Sequence, residues 1–384
     1  MLEYDVIVIG AGPAGSFTAK EIANKGFKVL LIDIKKEIGK PVQCAEAITE
    51  FALENVGLKT QKKWVKKELK GIKILLPKKK CFYSTVKCLS IDRYLFDNYL
   101  TDMAVSAGTE LKLKTCMKTI KSENNKYKIN TNNNEYKSKI IVGADGYLSK
   151  TARTLSLLKN REYINAYQYK FNKKDIDFHT DNWLCMTMDE IFHGGYGWVF
   201  PRGDEYNIGV GSRDATLDLL NNYCKSLGFN IKKKKCLNAG KIPYFFDIKK
   251  RVIPGAIIVG DAAAMTNPVT GGGIHAAMYS GKIAGQLIAE SLTKNNMEIM
   301  LKYDEIMKKS MFLHPIHRKV SDYFQKWTNK DWIFFANAAN NLDMRDLTYL
   351  KSFKIGLKNP GYMIRARELL AIRKDMQINQ KYGF

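Results

Sequence analysis

Two apolar runs joined by a glycine-rich turn constrain this chain more than any other feature in it. Residues 4 to 9 are largely β-branched and end in Gly10-Ala11-Gly12-Pro13-Ala14-Gly15, after which Phe17, Ile22 and Ala23 follow a helical period that stops at Gly26. The second run, Phe27 to Ile32, ends in Asp33. Strand, turn, helix and strand make a βαβ unit, and an acid roughly 20 residues beyond the turn stands where an adenosine ribose is contacted in dinucleotide-binding folds. In such a unit Gly10 permits the tight turn, Gly12 lets the backbone approach a pyrophosphate, and Gly15 lets helix and strand pack closely.

A second turn of this kind lies far along the chain. The apolar run Ile257-Ile258-Val259 ends in Gly260-Asp261-Ala262-Ala263 and continues through Asn267-Pro268 to Thr270-Gly271-Gly272-Gly273-Ile274. A helix that starts on glycines leaves backbone N–H groups without partners, and such a start attracts negative charge. Two of them in one chain point to one shared nucleotide ligand. A third element, Ile140 to Val142 followed by Gly143-Ala144-Asp145-Gly146, sets another acid beside glycines, with Ser149 and Arg153 opening the next helix.

With 384 residues, 45% of them hydrophobic, the chain has room for one large or two interleaved domains. No apolar run approaches the roughly 18 residues that span a bilayer, and the opening run follows Glu3 and Asp5, unlike a signal peptide; an intracellular protein is expected. The seven cysteines are odd in number and form no CxxC pair, which argues for reduced thiols over a disulfide framework or a zinc site. The net charge of +24 suits nucleic acid, an anionic membrane or a phosphorylated substrate, or else reflects a general use of Lys and Asn. No nucleic-acid-binding module is visible, so no nucleic-acid partner is expected. Trp64, beside a lysine-rich stretch, suits a membrane interface.

The remaining patterns place the motifs. Ile72 to Leu76 and Phe82 to Val86 read as a hairpin, Asp92 to Ala107 as a helix with Arg93 in its first turn, and Thr115 to Lys139 as a meander. From 160 to 250 aromatic strands (Tyr163 to Phe171, Trp183 to Met188, Tyr196 to Phe200, Tyr206 to Val210) form an antiparallel sheet, with one helix near Ala215 to Leu227. Beyond residue 300 the chain reads as helical, with Trp327, Trp332, Phe334, Phe335 and Phe353 among many basic residues. The expected division is 1–60, 88–158 and 251–300 as a discontinuous nucleotide-binding domain, 61–87 and 159–250 as a substrate domain, and 301–384 as a helical C-terminal region.

GAGPAG at 10–15, DRYLFD at 92–97, GADG at 143–146 and GDAAAMTNPVTGGGI at 260–274 resemble, in order and spacing, the flavoprotein superfamily typified by aromatic hydroxylases. Pro41-Val42-Gln43-Cys44-Ala45-Glu46 and Tyr196-Gly197-Trp198-Val199-Phe200-Pro201 narrow this: they are similar to the cysteine loop and YxWxFP signature of the geranylgeranyl reductases, especially the archaeal branch that saturates membrane lipids. The family commonly has an Arg-Cys-Gly-Glu loop where this chain has Gln43 to Glu46, and a glutamate where it has Asp33.

The resemblance implies an α/β fold: a Rossmann-type FAD-binding domain, an inserted antiparallel sheet and C-terminal helices. It implies that Gly10, Gly12, Ala14, Gly15 and Asp33 hold the ADP half of FAD. Arg93 lies near the ribityl and phosphate region, and Gly260, Asp261, Pro268, Gly271, Gly272, Gly273 and Ile274 surround the flavin, with Cys44 and Asp145 also near it. Asp145 equally suits a turn that needs no ligand. An isolated prenyl alkene has no group to accept a hydride, so the implied chemistry is protonation with hydride delivery from flavin N5. That needs a proton donor (Cys44, Glu46 or Tyr196) and an apolar channel with aromatic faces that tolerate positive charge (Tyr196, Trp198, Phe200, Pro201). Tyr196, Trp198 and Phe200 alternate and so share one face of their strand.

His193 and His275 could shuttle protons or simply hold structure, and His314 and His317 have no motif around them. The implied partners are a polyprenyl ether lipid, an external electron donor (ferredoxin, a deazaflavin or NAD(P)H) and an anionic membrane surface at the inner face of the cell membrane. Rival readings are a flavin monooxygenase or halogenase acting on a small aromatic, and a membrane-associated electron-transfer flavoprotein.

Overall fold

Parallel strands buried on both faces read as continuous apolar runs, and the runs at 6–9, 29–32 and 140–142 do form the centre of a parallel sheet. The computed structural model describes residues 2–339, 341–343 and 365–381. Leu2–Ile9 lies between Val29–Ile32 and Glu135–Gly143, Ala256–Ile258 adds to the far side of the latter, and Glu110–Lys112 closes the other edge. Side-chain alternation splits the sheet's burial in two. Val6, Val8, Leu31, Ile140 and Val142 pack with the helices Pro13–Ala23 and Ile274–Thr293. Ile7, Ile9, Leu30, Ile32 and Ile141 are covered by the meander strands Met117–Glu123 and Lys126–Thr131.

The two helices that begin on glycine turns lie against each other, and small residues make that possible. A Cβ on Gly281 would stand 2.3 Å from the Ala14 carbonyl oxygen, and the Thr18 hydroxyl donates to the Gly281 carbonyl at 3.1 Å. Close helix packing therefore brings the two turns to the same end of the parallel sheet.

The aromatic strands form a seven-stranded sheet in the order 236–248, 158–172, 205–212, 196–202, 183–187, 71–76, 80–84. The sheet is antiparallel except where Trp183–Thr187 runs parallel to Gly71–Leu76, because that hairpin arrives from an earlier part of the chain. Val199, Ile208 and Val210 on one face bury Leu220, Tyr223 and Cys224 of the helix Leu217–Ser226. The opposite face carries Trp198 and Phe200 and is covered by Val320, Phe324, Trp327, Trp332 and Phe335 from the C-terminal helices. A small third sheet, Ala47–Thr49, Cys88–Ile91 and Val65–Leu69, joins the two large ones.

One expectation changes here. Trp64 is fully buried, edge to face with Phe96 at 5.0 Å, and Trp327 and Trp332 are buried as well, so these indoles are core residues and give no support to a membrane interface. Their burial follows from the three-stranded sheet and the C-terminal helices, which cover them from regions distant in sequence. The segment 344–364, which includes Phe353, lies outside the described residues. Among the described residues no helix is long and apolar enough to cross a membrane.

Candidate functional site

At the first turn the local geometry explains each glycine. Gly10 has φ +108°, and a Cβ there would lie 2.3 Å from the Ala144 carbonyl oxygen; one on Gly15 would lie 1.8 Å from the Gly10 carbonyl oxygen. Gly12 differs, because a Cβ there would meet nothing within 4 Å, and it is the N-cap of the helix without any side-chain cap. Open space in front of uncapped N–H groups is what a pyrophosphate needs. Asp33 is buried and accepts from the Ala11 N–H at 2.8 Å through Oδ2 and from the Lys35 N–H at 2.8 Å through Oδ1. Its carboxylate thus clamps the glycine turn to the end of the neighbouring strand.

The second turn is held by residues remote in sequence. Asn267 Oδ1 accepts from the Val269 and Thr270 N–H groups at 2.8 and 3.2 Å, and its main chain closes onto Gly271 and Gly272 at 2.9 and 3.0 Å. Its Nδ2 donates to Asn379 Oδ1 at 3.1 Å, Asn379 Nδ2 donates to Asp375 at 2.9 Å, and Asp375 meets His317 Nδ1 at 2.5 Å. Ser321 Oγ donates to the Pro268 carbonyl at 3.0 Å. The loop from Thr270 to Gly273 therefore rests on helices 315–324 and 366–381. The sequence signal for this was slight: Asn267 stands in a motif, but nothing near Asp375 or Asn379 marks them.

Helix Ile274–Thr293 starts on Gly273 with no side-chain cap, so its first N–H groups face out of the protein's own hydrogen bonding. Asp261, from the short helix Gly260–Ala263, accepts from Thr266 Oγ1 at 2.8 Å. Burial pushes its carboxyl above the usual carboxylate range, against the Thr266 bond and the nearby Arg93 charge. Such a carboxyl is suited to hydrogen-bonding hydroxyl groups. His275, next in the helix, is buried against Phe312 and Phe51 with Nε2 3.0 Å from Asn55 Oδ1, and burial lowers its pKa to about 4. It is a neutral core ring.

The cysteine loop and the aromatic strand meet this second turn. The Tyr196 hydroxyl donates to the Thr270 carbonyl. Burial, with Cys44 adding to it, raises the phenol's pKa, so Tyr196 keeps its proton. The Cys44 thiol is close enough to Arg93 to act electrostatically on its guanidinium, which is forked onto Asp97 at 2.9 Å through both Nε and Nη2. Cys44, Arg93, Tyr196 and the turn 270–273 are thus brought together.

Trp198 follows on the same face of the strand, edge to face with Tyr196 at 5.9 Å, with its indole N–H donated to Gln168 Oε1 at 2.9 Å. Gly209 on the adjacent strand leaves room for that ring: a Cβ there would lie 2.1 Å from Trp198 Cζ2. Phe200 continues the row into the buried apolar cluster beneath the C-terminal helices, and Pro201 is buried beside it.

Three predicted residues sit differently. Both oxygens of Glu46 are occupied within the protein, by Lys170 at 2.7 Å, Asn207 at 3.2 Å and the Arg93 N–H at 3.2 Å, and its side chain is fully buried. Asp145 accepts from Ser149 at 2.5 Å and from the Thr151 N–H and hydroxyl at 2.9 Å each, the arrangement of a cap for the helix Lys150–Thr154. His193 pairs with Asp214 in the loop before Tyr196.

Two uncapped helix starts at the same end of the sheet, open space at Gly12 and the part-buried Asp261 carboxyl between them in sequence fit the extended, doubly charged pyrophosphate and polyhydroxylated chain of FAD.

Comparison with known proteins agrees. Residues 7–178 match the pyridine nucleotide-disulphide oxidoreductase family model. The chain is 30% identical to digeranylgeranylglycerophospholipid reductase 2 of Methanopyrus kandleri, with 89% of this chain and 92% of that protein covered. It is 34% identical to the digeranylgeranylglycerophospholipid reductase of Methanosarcina acetivorans, with 80% of each covered. Among solved structures, a geranylgeranyl bacteriochlorophyll reductase-like protein from Thermoplasma acidophilum superimposes with a TM-score of 0.85 at 26% identity, over 96% of this chain and 100% of that one. With FAD-site geometry, fold and relatives in agreement, this chain belongs to the digeranylgeranylglycerophospholipid reductase family of FAD-dependent oxidoreductases.

Proposed function

We propose that the protein saturates isolated C=C bonds in the geranylgeranyl chains of archaeal-type ether phospholipids. Reduced FAD, when bound, supplies hydride at N5; the chain's own residues bind the prenyl tail, exclude water and hold the proton. The observation that carries this reading is the aromatic row of Tyr196, Trp198 and Phe200, which starts on the Thr270 carbonyl of the flavin-side turn and runs into the apolar cluster under the C-terminal helices. An apolar tail entering between that row and the C-terminal helices that cover it would meet ring faces that favour positive charge developing on a protonated alkene.

Tyr196 and Cys44 are the two donors adjacent to the turn, the phenol kept protonated by burial and the thiol set beside Arg93. The uncapped start at Gly273 favours negative charge on the flavin ring once it is reduced. Asp33, Gly10, Gly12, Ala14 and Gly15 would hold the ADP half; Asp261, Gly260, Pro268 and Gly271 to Ile274 the flavin half. Electrons come from an external donor: ferredoxin, a deazaflavin or NAD(P)H. The net charge of +24 supports contact with an anionic membrane surface, and failure to pellet with anionic liposomes at low salt would remove that part.

The test is direct. Dithionite-reduced protein is offered a geranylgeranylated ether lipid, and mass spectrometry follows the product. A gain of two hydrogens per double bond is expected. No gain, together with oxygen-dependent turnover of a phenol, would instead establish the monooxygenase reading.

A further inference from the structure

A buried cluster of charges lies behind the cysteine loop, and neither the cofactor nor the substrate accounts for it. Glu46 is at its centre, with its side chain fully buried between Lys170 Nζ at 2.7 Å and Arg202 Nε at 3.0 Å. Arg202 continues the cluster: Nη2 reaches Asp92 at 2.7 Å and Nη1 reaches Glu205 at 2.8 Å. Three carboxylates thus converge on one guanidinium that is itself largely buried. Removing one member of such a cluster leaves uncompensated charge, which is why it is rigid.

The cluster is tied to the loop main chain step by step. Gln168 Nε2 donates to the Cys44 carbonyl at 3.2 Å, Asn207 Nδ2 donates to the Ala45 carbonyl at 2.9 Å, and the Glu46 carbonyl accepts from the Ile91 N–H at 2.9 Å. Glu46 itself has φ +65°, a left-handed conformation that costs a residue with a Cβ about 1 kcal/mol and that the bonds to its carboxylate hold in place. That conformation also directs the Glu46 N–H back onto Cys44 Sγ at 3.2 Å. The strand pattern supplies the partners: Tyr196, Trp198, Phe200 and Arg202 alternate onto one face, and Gln168 and Lys170 do the same on a second strand of that sheet. One sheet face therefore presents an aromatic row that ends in the guanidinium anchoring the thiol loop.

We propose that Glu46 is a positioning residue, held by Arg202, Lys170 and Asn207, that fixes the Cys44 sulfur beside Arg93 and Tyr196 and transfers no proton itself. The consequence for catalysis rests on the proposed lipid reduction; the positioning itself does not. Asp92, the first residue of the DRYLFD motif, gains a role in the same cluster by bringing Arg202 against the start of the Arg93 helix.

The experiment measures alkylation of Cys44 by iodoacetamide in the FAD-loaded protein, resolved by peptide mass spectrometry from the other six cysteines. Glu46→Gln keeps the shape and removes the charge. Releasing the loop should raise the Cys44 rate about tenfold, the equivalent of roughly 1.4 kcal/mol of lost restraint, while Cys236, exposed elsewhere, reacts as before. Lys170→Met, at the edge of the cluster, should raise it in the same direction by a smaller factor and serves if Glu46→Gln does not fold. An unchanged Cys44 rate in the folded variants, with turnover abolished in Glu46→Gln alone, overturns the proposal in favour of Glu46 as a proton donor. If the protein reduces no lipid but the alkylation rate still rises, the positioning stands and the substrate reading falls.

Discussion

The two glycine-rich helix starts of this protein do related work and are built in opposite ways. The first, at 10–15, is held by Asp33 from the adjacent strand, and both of its closest contacts lie within the same βαβ unit or the neighbouring turn at Ala144. The second, at 270–273, is held from the far end of the chain, through Asn267 to Asn379 and through Pro268 to Ser321. A phosphate site needs little more than N–H groups and space, which a short segment can provide. On the proposed assignment the second start is the flavin site, which must also define what lies over the ring; Tyr196, Cys44 and the C-terminal helices all converge on it.

The sharpest way to break the first start is Gly15→Ala, whose new methyl would sit 1.8 Å from the Gly10 carbonyl oxygen. With backbone on both sides it has nowhere to go, so a loss of roughly 3 kcal/mol and of bound flavin is expected; an unchanged unfolding midpoint in a yellow preparation would contradict it. The second start carries a pH dependence through His275. His275 has a folded pKa of about 4, below its ordinary value of 6.5, so below 6.5 the unfolded chain binds a proton that the folded one refuses. Stability is complete above 6.5 and falls by roughly 2 kcal/mol between pH 7 and 5. Urea unfolding of His275→Gln should show that slope reduced, and an identical slope would assign it elsewhere.

A smaller effect distinguishes the remote support. Asn379→Ala removes one amide partner of Asn267 and should cost about 1 kcal/mol, with a shift in the flavin absorption bands that the first start's variants, at the adenosine end, would not share. Spectra indistinguishable from the parent would show that the turn does not depend on the C-terminal helix. The smallest change in stability is expected for Gly12→Ala, where a methyl meets nothing within 4 Å. The unliganded protein should lose under about 0.5 kcal/mol, yet FAD affinity should drop at least about tenfold as the methyl enters the space kept for pyrophosphate. Undiminished affinity would move the pyrophosphate away from Gly12.

The lysine-rich surface and the tryptophans illustrate where sequence reading misleads. Trp64 and the basic stretch beside it look interfacial in one dimension, but the indole is fully enclosed by Phe96 and its neighbours in three. Glu46 likewise reads as an available acid in a loop motif; its partners Lys170 and Asn207 lie 124 and 161 residues away and carry no motif. A side chain's chemistry is readable from its type, whereas its availability depends on what the fold packs around it.

The sequence by itself determined the parallel sheet, both glycine starts, the place of Asp33 at the end of the second strand and the shared face of Tyr196, Trp198 and Phe200. These follow from local rules: apolar periodicity, turn stereochemistry and the two-residue repeat of a strand. Only the tertiary structure decided that Asn379 supports the turn at 270–273, that Asp33 clamps the first turn, that Asp145 caps a helix, and that Glu46 is enclosed by charges behind Cys44. Those arrangements join residues more than a hundred positions apart or divide one carboxylate between competing donors, and the energy of a buried hydrogen bond or ion pair depends on distance and burial, neither of which is written in the order of the residues.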